Sequence, residues 1–309
     1  LTGKSKNGRV REEIAEKIRD AAGKMNYRPN KLARSLKSGH SQMIGLLIAD
    51  IVNPFFANLA FHIQEEMRKA GYAVIIMNTD EDSKQMEEMI KLIQGQQVDG
   101  FIIVPVESGE QSIQRLMKER VPLVLIDRYY PNIRTNTVLI DNFDASYQAT
   151  QYLIRHGCRN VALFIYDARL PHMEGRTSGY MEAMKENGLF NDSLIKKISY
   201  RNVANDIHRA LQLLSGEKER IDGILFATNT IAVSGLKQLI KRNIKIPEDI
   251  QVVCFDKSDV FDFLPAPVPY IQQPVRSIAQ MASRLLLEQL EEATQNTSVY
   301  RLPAELLVE

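Results

Sequence analysis

The chain has 309 residues, 44% of them hydrophobic, so it contains enough apolar material for more than one hydrophobic core. No apolar stretch approaches the roughly 18 residues of a membrane-spanning helix, and Leu1 to Lys4 do not have the pattern of a signal peptide. The two cysteines, Cys158 and Cys254, lie in or beside apolar stretches, which favours buried, reduced thiols over a disulfide framework. We therefore expect a globular, cytoplasmic protein of two or more domains.

Positive charge is concentrated at the N-terminus, although the net charge of the whole chain is only +1. Residues 1–40 contain eleven Lys and Arg side chains against four Asp and Glu, a net charge of +7, and the remainder carries −6. A positive field attracts polyanions, so this distribution predicts a polyanionic partner for residues 1–40 and disfavours one elsewhere.

The first predicted element is a helix over residues 9–25. Its apolar stripe is formed by Val10, Ile14, Ile18 and Met25, at spacings typical of one helix face.

A second, shorter helix is predicted to follow. Pro29 blocks continuation of the first helix, and Asn30 can cap a new turn over Lys31 to Lys37. About seven residues are too few for a helix that is stable alone in water. We expect this segment to become ordered only on a partner chain or on DNA.

From Met43 onward, short apolar strands alternate with amphipathic helical patterns. The predicted strands are 43–49, 73–77, 100–104, 123–126, 137–140, 161–166, 223–227 and 250–255, with a strand-like segment at Val299–Leu302. The predicted helices are 56–70, 83–95, 110–119, 143–157, 176–187, 204–215, 230–242 and 276–291. This alternation predicts an α/β fold of two doubly wound parallel-sheet lobes, in which ligands bind at the carboxyl ends of the strands.

Several motifs, in this order and spacing, resemble the lactose-repressor/galactose-repressor (LacI/GalR) family of bacterial transcription factors. They are Asn26-Tyr27-Arg28-Pro29-Asn30, Ser41-Gln42-Met43-Ile44-Gly45-Leu46, Asn53-Pro54-Phe55-Phe56, Asp127-Arg128, Asp141-Asn142, Gly157 with Arg159-Asn160-Val161-Ala162, Arg176 with Gly179-Tyr180, and Ile271-Gln272-Gln273-Pro274. The resemblance implies a helix-turn-helix headpiece, a hinge helix and a two-lobed sugar-binding core similar to type I periplasmic binding proteins. It implies these limits: 1–40 for the remnant of the headpiece and the hinge helix, 41–142 with 272–297 for the N-terminal lobe, and 143–271 with 298–309 for the C-terminal lobe.

By the same resemblance, Leu1 falls just past the recognition helix, and Leu36 matches the lever residue that inserts between base steps in the minor groove. An ordinary apolar residue on a short helix is the alternative interpretation of Leu36. The residues that we expect to contact operator DNA are Tyr27, Arg28, Asn30, Ala33, Arg34 and Leu36.

The core carries the residue types that a monosaccharide requires, because a sugar ring offers apolar C–H faces and a rim of hydroxyl groups. Aromatic and planar polar side chains follow the strands of both predicted lobes, and they match the set of ribose-type binding proteins. The candidate effector-binding residues are Asn53, Phe55, Phe56, Asp127, Arg128, Arg176, Asn229, Asp256 and Gln273. The alternatives remain that the aromatic pair fills core and that Asp127 and Arg128 form a solvated ion pair.

The chain departs from the family pattern at Thr230, Cys254 and Ala279, and it matches poorly over 166–175 and 264–267, so we expect ligand specificity to lie in those two segments. The five histidines are scattered without metal-ligand spacing, so neither a metal nor a cofactor is expected.

The favoured function is a sugar-responsive transcriptional regulator that binds operator DNA as a homodimer, with induction and co-repression both open. A solute-binding protein that delivers a monosaccharide to a transporter is the alternative. A cofactor-dependent enzyme is disfavoured, because no Gly-rich phosphate loop or Ser nucleophile motif is present.

Overall fold

The computed structural model describes residues 14, 16, 17, 20, 21, 24, 25, 40–213, 220–291 and 297–308. Within the predicted helix 9–25, the described residues Ile14, Glu16, Lys17, Asp20, Ala21 and Lys24 are helical. The predicted DNA-contacting residues Tyr27, Arg28, Asn30, Ala33, Arg34 and Leu36 lie outside the described residues, as does the short predicted helix that contains them.

The first lobe is a six-stranded parallel sheet with helices on both faces. Its strands are β1 (Met43–Ile48), β2 (Ala73–Asn78), β3 (Gly100–Ile103), β4 (Leu123–Ile126), β5 (Asn136–Ile140) and β11 (Val299–Leu302), in the order β11-β5-β4-β3-β1-β2. Its helices are α1 (Pro54–Lys69), α2 (Ser83–Gln94), α3 (Glu110–Lys118) and α8 (Val275–Glu291). Helices α1 and α8 pack together on one face, and α2 and α3 cover the other.

The second lobe repeats this architecture. Its strands are β6 (Val161–Tyr166), β7 (Ile195–Ile198), β8 (Gly223–Phe226), β9 (Gln251–Phe255), β10 (Tyr270–Gln272) and β12 (Glu305–Leu307), in the order β12-β10-β9-β8-β6-β7, with β12 antiparallel. Its helices are α4 (Asn142–Arg155), α5 (Pro171–Glu186), α6 (Val203–Leu213) and α7 (Asn229–Lys241). The prediction of two doubly wound α/β lobes is confirmed.

The central strands of both sheets are continuous apolar runs because they are buried on both faces. Every residue of β3, β4, β6 and β8 is buried, because helices cover both faces of each sheet. Within the described residues, no helix combines the length and the apolar character that crossing a membrane would require. Cys158 and Cys254 are both buried and free, as predicted.

Local capping positions the start of α1 at the edge of the first sheet. The Asn53 side chain accepts a hydrogen bond from the Phe55 backbone N–H at 3.0 Å, and Pro54 occupies the first helical turn, where its missing N–H costs nothing. The two aromatic side chains Phe55 and Phe56 are thereby held directly beyond the carboxyl end of β1.

The assignment of residues 298–309 to the second lobe is wrong for Val299–Leu302. This strand pairs in parallel with β5 and closes the edge of the first sheet. Only β12, which pairs with β10, belongs to the second sheet. The strands β7, β10 and β12 were not predicted, because each has only three or four residues and lacks a continuous apolar run. Helix α5 begins five residues before the predicted start at Arg176.

In the described part of the chain, three connections cross between the lobes. They lie at Asp141 between β5 and α4, at Gln273-Pro274 between β10 and α8, and at Pro303-Ala304 between β11 and β12. Each crossing is short, which keeps the two lobes close together. Residues that follow strands of both sheets line one cavity, so the carboxyl edges of the sheets face each other.

Helices α4 and α5 pack together with their backbones close at Gly179. A Cβ atom at Gly179 would overlap the backbone carbonyl oxygen of Phe143 and lie 2.9 Å from the backbone nitrogen of Tyr147. Because both obstacles are backbone atoms, a side chain at this position can be accommodated only if the helices separate.

We therefore expect Gly179→Ala to lower the free energy of unfolding by about 1–3 kcal/mol through overpacking. Ser178→Ala, at the exposed neighbouring position of the same helix, should change it by less than about 0.5 kcal/mol. Urea unfolding followed by circular dichroism measures both; equal stability of the two variants would contradict the close approach of α4 and α5.

Candidate functional site

A cavity of about 50 Å³ lies between the carboxyl edges of the two sheets. Eight of the nine predicted effector-binding residues line it: Asn53, Phe55, Phe56, Asp127, Arg128, Arg176, Asp256 and Gln273. The volume is far below the roughly 300 Å³ at which ligand pockets usually begin. Entry of a ligand as large as a sugar therefore requires the lobes or the lining side chains to move apart.

Two carboxylates occupy equivalent positions in the two lobes. Asp127 follows β4 and Asp256 follows β9, and both have left-handed backbone conformations, with φ of 65° and 63°. The backbone N–H of Asp127 donates to the carbonyl of Val138, and that of Asp256 to the carbonyl of Ile271, each at 2.9 Å. Asp adopts this conformation more readily than most residues, and such backbone strain clusters at functional sites.

Arg128 is held almost entirely by protein acceptors. Its Nη1 and Nη2 donate to the two carboxylate oxygens of Glu81 at 2.5 and 2.7 Å, and Nη1 also donates to the Pro105 carbonyl at 3.1 Å. Its Nε donates to Asp127 at 3.2 Å, and its guanidinium carbon lies 5.6 Å from the centre of the Phe56 ring. Arg128 thus lines the cavity as a guanidinium that is already paired with carboxylates of its own lobe.

The buried charges in this wall affect each other's protonation. Burial is the largest single influence and lowers the pKa of Arg128, but Glu81, Tyr200 and Asp127 together outweigh it, so the pKa of Arg128 is raised. Burial raises the pKa of the Asp127 carboxyl, and the Arg128 charge opposes that rise. Arg128 therefore stays charged at any working pH.

Arg176 lies on the second lobe and retains free hydrogen-bonding capacity. Its Nε donates to Asn142 Oδ1 at 2.8 Å and its Nη1 to the Ala227 carbonyl at 2.5 Å, while the guanidinium stacks 4.0 Å from the centre of the Phe255 ring. Burial lowers the pKa of Arg176, but an arginine stays protonated under such a shift. Among the residues that the structure describes, the remaining N–H groups of Nη1 and Nη2 have no acceptor, so they are available to a ligand.

Asp256 pairs with Gln273, which lies at the crossing between the lobes. Gln273 Nε2 donates to Asp256 Oδ1 at 2.9 Å. Burial raises the pKa of Asp256 to about 6, while Arg176 and the hydrogen bond from Gln273 oppose the rise. Asp256 is consequently an acceptor whose charge changes in mildly acidic solution.

Three buried polar atoms that line the cavity have no hydrogen-bond partner among the described residues: His172 Nδ1, Tyr200 Oη and Gln273 Oε1. Burial, together with the charges of Arg128 and Arg176, lowers the pKa of His172 well below its ordinary value, so its ring is neutral and can both donate and accept. Buried polar atoms without partners are rare in folded proteins. Their convergence on one cavity indicates a polar ligand.

Aromatic faces from both lobes complete the cavity. Phe55 and Phe56 of the first lobe meet edge to face with ring centres 5.0 Å apart, and Tyr166 and Tyr200 of the second lobe stack at 3.8 Å. These rings offer apolar surfaces on opposite sides of the polar groups.

Asn229 does not line the cavity. Its side chain donates to the Lys257 carbonyl at 3.1 Å, and the neighbouring residues Thr228 and Thr230 face the cavity instead. Eight further residues line the cavity and are not among the predicted effector-binding residues: Asp50, Glu81, Tyr166, His172, Met173, Tyr200, Thr228 and Thr230. Tyr166, His172 and Met173 belong to the segment 166–175, for which a role in specificity was predicted.

Comparison with known proteins places these features in a family. Residues 41–309 match the family described as periplasmic binding proteins and sugar binding domain of the LacI family. The ribose operon repressor of Halalkalibacterium halodurans is 30% identical over 304 residues, which cover 98% of this chain and 89% of that protein.

Solved structures share the fold. A LacI family transcriptional regulator from Enterococcus faecium with bound ribose has a TM-score of 0.74 and 23% identity, covering 86% of this chain and 96% of that one. The Cra transcriptional dual regulator from Pseudomonas putida, in complex with fructose 1-phosphate, has a TM-score of 0.77 and 22% identity, covering 87% and 99%. The same fold thus holds a neutral sugar in one protein and a phosphorylated sugar in another.

The raised pKa of Asp256 predicts a pH-dependent stability. Between its ordinary pKa of 3.8 and about 6, the folded state binds the proton more readily than the unfolded state, so this contribution to stability is lost as pH rises through that range. The free energy of unfolding of the wild type, minus that of Asp256→Asn, should fall by about 1–3 kcal/mol from pH 4 to pH 7.

Urea unfolding at a series of pH values measures this difference. Asp167→Asn, an exposed aspartate that follows β6 outside the cavity, is the matched control and should give a nearly constant difference. A flat difference for Asp256→Asn would contradict the raised pKa.

Proposed function

The chain belongs to the LacI family of transcriptional regulators, and we propose that its effector is a monosaccharide bound in the cavity between the two lobes. The observation that carries the proposal is the convergence of unpartnered polar atoms, paired carboxylates and aromatic faces from both lobes on one cavity.

Each class of side chain has a proposed role toward the sugar. The rings of Phe55, Phe56 and Tyr166 would pack against the C–H faces, as apolar surfaces do in sugar sites. Asp127 and Asp256 would accept hydrogen bonds from hydroxyl groups, and the free N–H groups of Arg176 would donate to hydroxyl oxygens.

The remaining candidates would complete the rim of hydrogen bonds. Gln273 Oε1 and Tyr200 Oη would gain the partners that they lack among the described residues. Asn53 and Arg128 would contribute N–H groups that protein acceptors leave free. We assign Asn229 a supporting role, because its amide is committed to the Lys257 carbonyl.

The named relatives support this effector class. One is a ribose operon repressor, and a structural neighbour holds ribose. The match to a repressor over 98% of this chain favours a regulator over a solute-binding protein of a transporter. A cytoplasmic location, where operator DNA is found, follows from the proposed function.

The proposed mechanism links sugar binding to DNA binding through closure of the lobes. The limits proposed for the headpiece and hinge are residues 1–40, with Tyr27, Arg28, Asn30, Ala33, Arg34 and Leu36 at the operator. In a homodimer, closure would change the spacing of the two hinges and so shift the population of the state that fits the operator.

A neutral monosaccharide should stabilise the protein. A ligand present at about 100 times its dissociation constant adds about 2.7 kcal/mol to the free energy of unfolding, which raises the melting temperature by several degrees. A thermal-shift screen of pentoses and hexoses measures this effect. Absence of a shift with every monosaccharide, together with a response to purines, would contradict the proposed effector class.

The carboxylate of Asp127 should be required for binding. Asp127→Asn removes a charged acceptor and is expected to weaken sugar affinity by about 10–100-fold, measured by calorimetry. Asp167→Asn makes the same chemical change outside the cavity and should leave the affinity unaltered. Equal affinities of the two variants would remove Asp127 from the site.

Operator affinity should change when the effector is bound. The experiment is a gel shift with protein that carries its complete headpiece, with and without the sugar found in the screen, and with Leu36→Ala as a hinge variant. An apolar wedge offsets the cost of bending the duplex, so Leu36→Ala is expected to weaken operator binding. An operator affinity unchanged by sugar would contradict the regulatory mechanism.

A further inference from the structure

Glu81 reaches the cavity from a backbone conformation that few sequences adopt. Asp80 and Glu81 are consecutive non-glycine residues in the left-handed region, with φ of 50° and 56°. They form the connection between β2 and α2, directly beyond the carboxyl end of the first sheet. Left-handed non-glycine residues persist only where the surrounding structure enforces them.

Hydrogen bonds hold the backbone and side chains of this connection in place. Glu81 N–H donates to the Ala49 carbonyl at 3.2 Å, and the buried Thr79 donates through Oγ1 to the Ile48 carbonyl at 3.2 Å. The Asp80 carboxylate accepts from Asn78 and Gln85. Glu81 is therefore held rigidly in place, with 13% of its side chain exposed.

The rigid carboxylate occupies the face of Arg128 that an anion would use. Among the described residues, protein acceptors take four of the five N–H groups of Arg128, and Glu81 takes two of them as a parallel pair. A phosphate or carboxylate ligand recognises arginine through that same paired geometry. It would have to displace Glu81, whose position the backbone enforces.

The charge balance of the cavity also opposes an anion. Four carboxylates line it, from Asp50, Glu81, Asp127 and Asp256, against the two guanidinium groups of Arg128 and Arg176. Removing the charge of Glu81 would free two N–H groups of Arg128 and reduce the excess of carboxylates over guanidinium groups from two to one. Since the same fold accepts both ribose and fructose 1-phosphate in other proteins, the lining residues and not the fold decide between them.

We propose that Glu81 is the specificity-determining residue that restricts this site to uncharged sugars, by occupying Arg128 and so excluding sugar phosphates and sugar acids. The inference rests on the proposed function, because it names the chemical class of effector for the same cavity. Glu81 acts through Arg128 and does not itself need to touch the ligand.

The test compares the wild-type chain with Glu81→Gln by calorimetry and thermal shift at neutral pH. The probes are D-ribose with ribose 5-phosphate, D-fructose with fructose 1-phosphate, and inorganic phosphate. The wild type should prefer the neutral member of the pair that binds by about tenfold or more, since like charges oppose the phosphate. Glu81→Gln should reduce that preference by about tenfold and make the protein responsive to inorganic phosphate.

Two further variants control for charge and for folding. Glu107→Gln makes the same change at an exposed position after β3, outside the cavity, and should behave as the wild type. Glu81→Asp keeps the charge and should retain the preference for neutral sugars. If Glu81→Gln does not fold, equal or tighter binding of a sugar phosphate by the wild type, or a response of the wild type to inorganic phosphate, still overturns the proposal.

The outcomes separate this inference from the proposed function. Equal or tighter binding of a sugar phosphate by the wild type, or a folded Glu81→Gln that gains no response to phosphate, overturns the role of Glu81 but leaves a monosaccharide effector standing. No monosaccharide binding by the wild type, together with a gain of phosphate binding in Glu81→Gln, overturns the proposed function and retains the role of Glu81.

Discussion

The placement of two buried guanidinium groups between the lobes constrains the rest of the site. A buried charge without partners costs several kcal/mol, so Arg128 and Arg176 must each be surrounded by acceptors before the cavity can form. For Arg128 the acceptors are two carboxylates and a backbone carbonyl of its own lobe, and for Arg176 they are an amide and a backbone carbonyl. The difference leaves Arg176 open to a ligand, whereas Arg128 keeps one N–H group without an acceptor among the described residues.

This division gives each lobe a different task. The first lobe supplies a rigid wall in which the Arg128 guanidinium is already ion-paired and lies 5.6 Å from the centre of the Phe56 ring. The second lobe supplies His172 Nδ1 and Tyr200 Oη, two atoms without hydrogen-bond partners among the residues that the structure describes. A ligand that satisfies the second lobe while resting on the first must contact both, so its binding energy depends on the angle between them.

Much of the fold and of the site could be predicted because both follow from the local pattern of apolar and polar residues in the sequence. Strands buried on both faces must be apolar, and polar residues at their carboxyl ends then stand out, as Asp127 and Asp256 do. Glu81 and Tyr200 were missed, because one depends on two left-handed residues and the other follows an edge strand interrupted by lysines. Val299–Leu302 was placed in the wrong lobe, since a strand's own residues do not specify its distant partner.

The three short crossings between the lobes have a mechanical consequence. Two bodies joined by one tether can twist, slide and separate, whereas three short tethers oppose twisting and sliding, so a change in the angle between the lobes is the motion that they oppose least. Every event that alters the opening, at the cavity or on a distant surface, then acts on that single angle. In the proposed mechanism, sugar binding and operator binding would both act on this angle, so the two events would be thermodynamically linked even if no chain of contacts joined them.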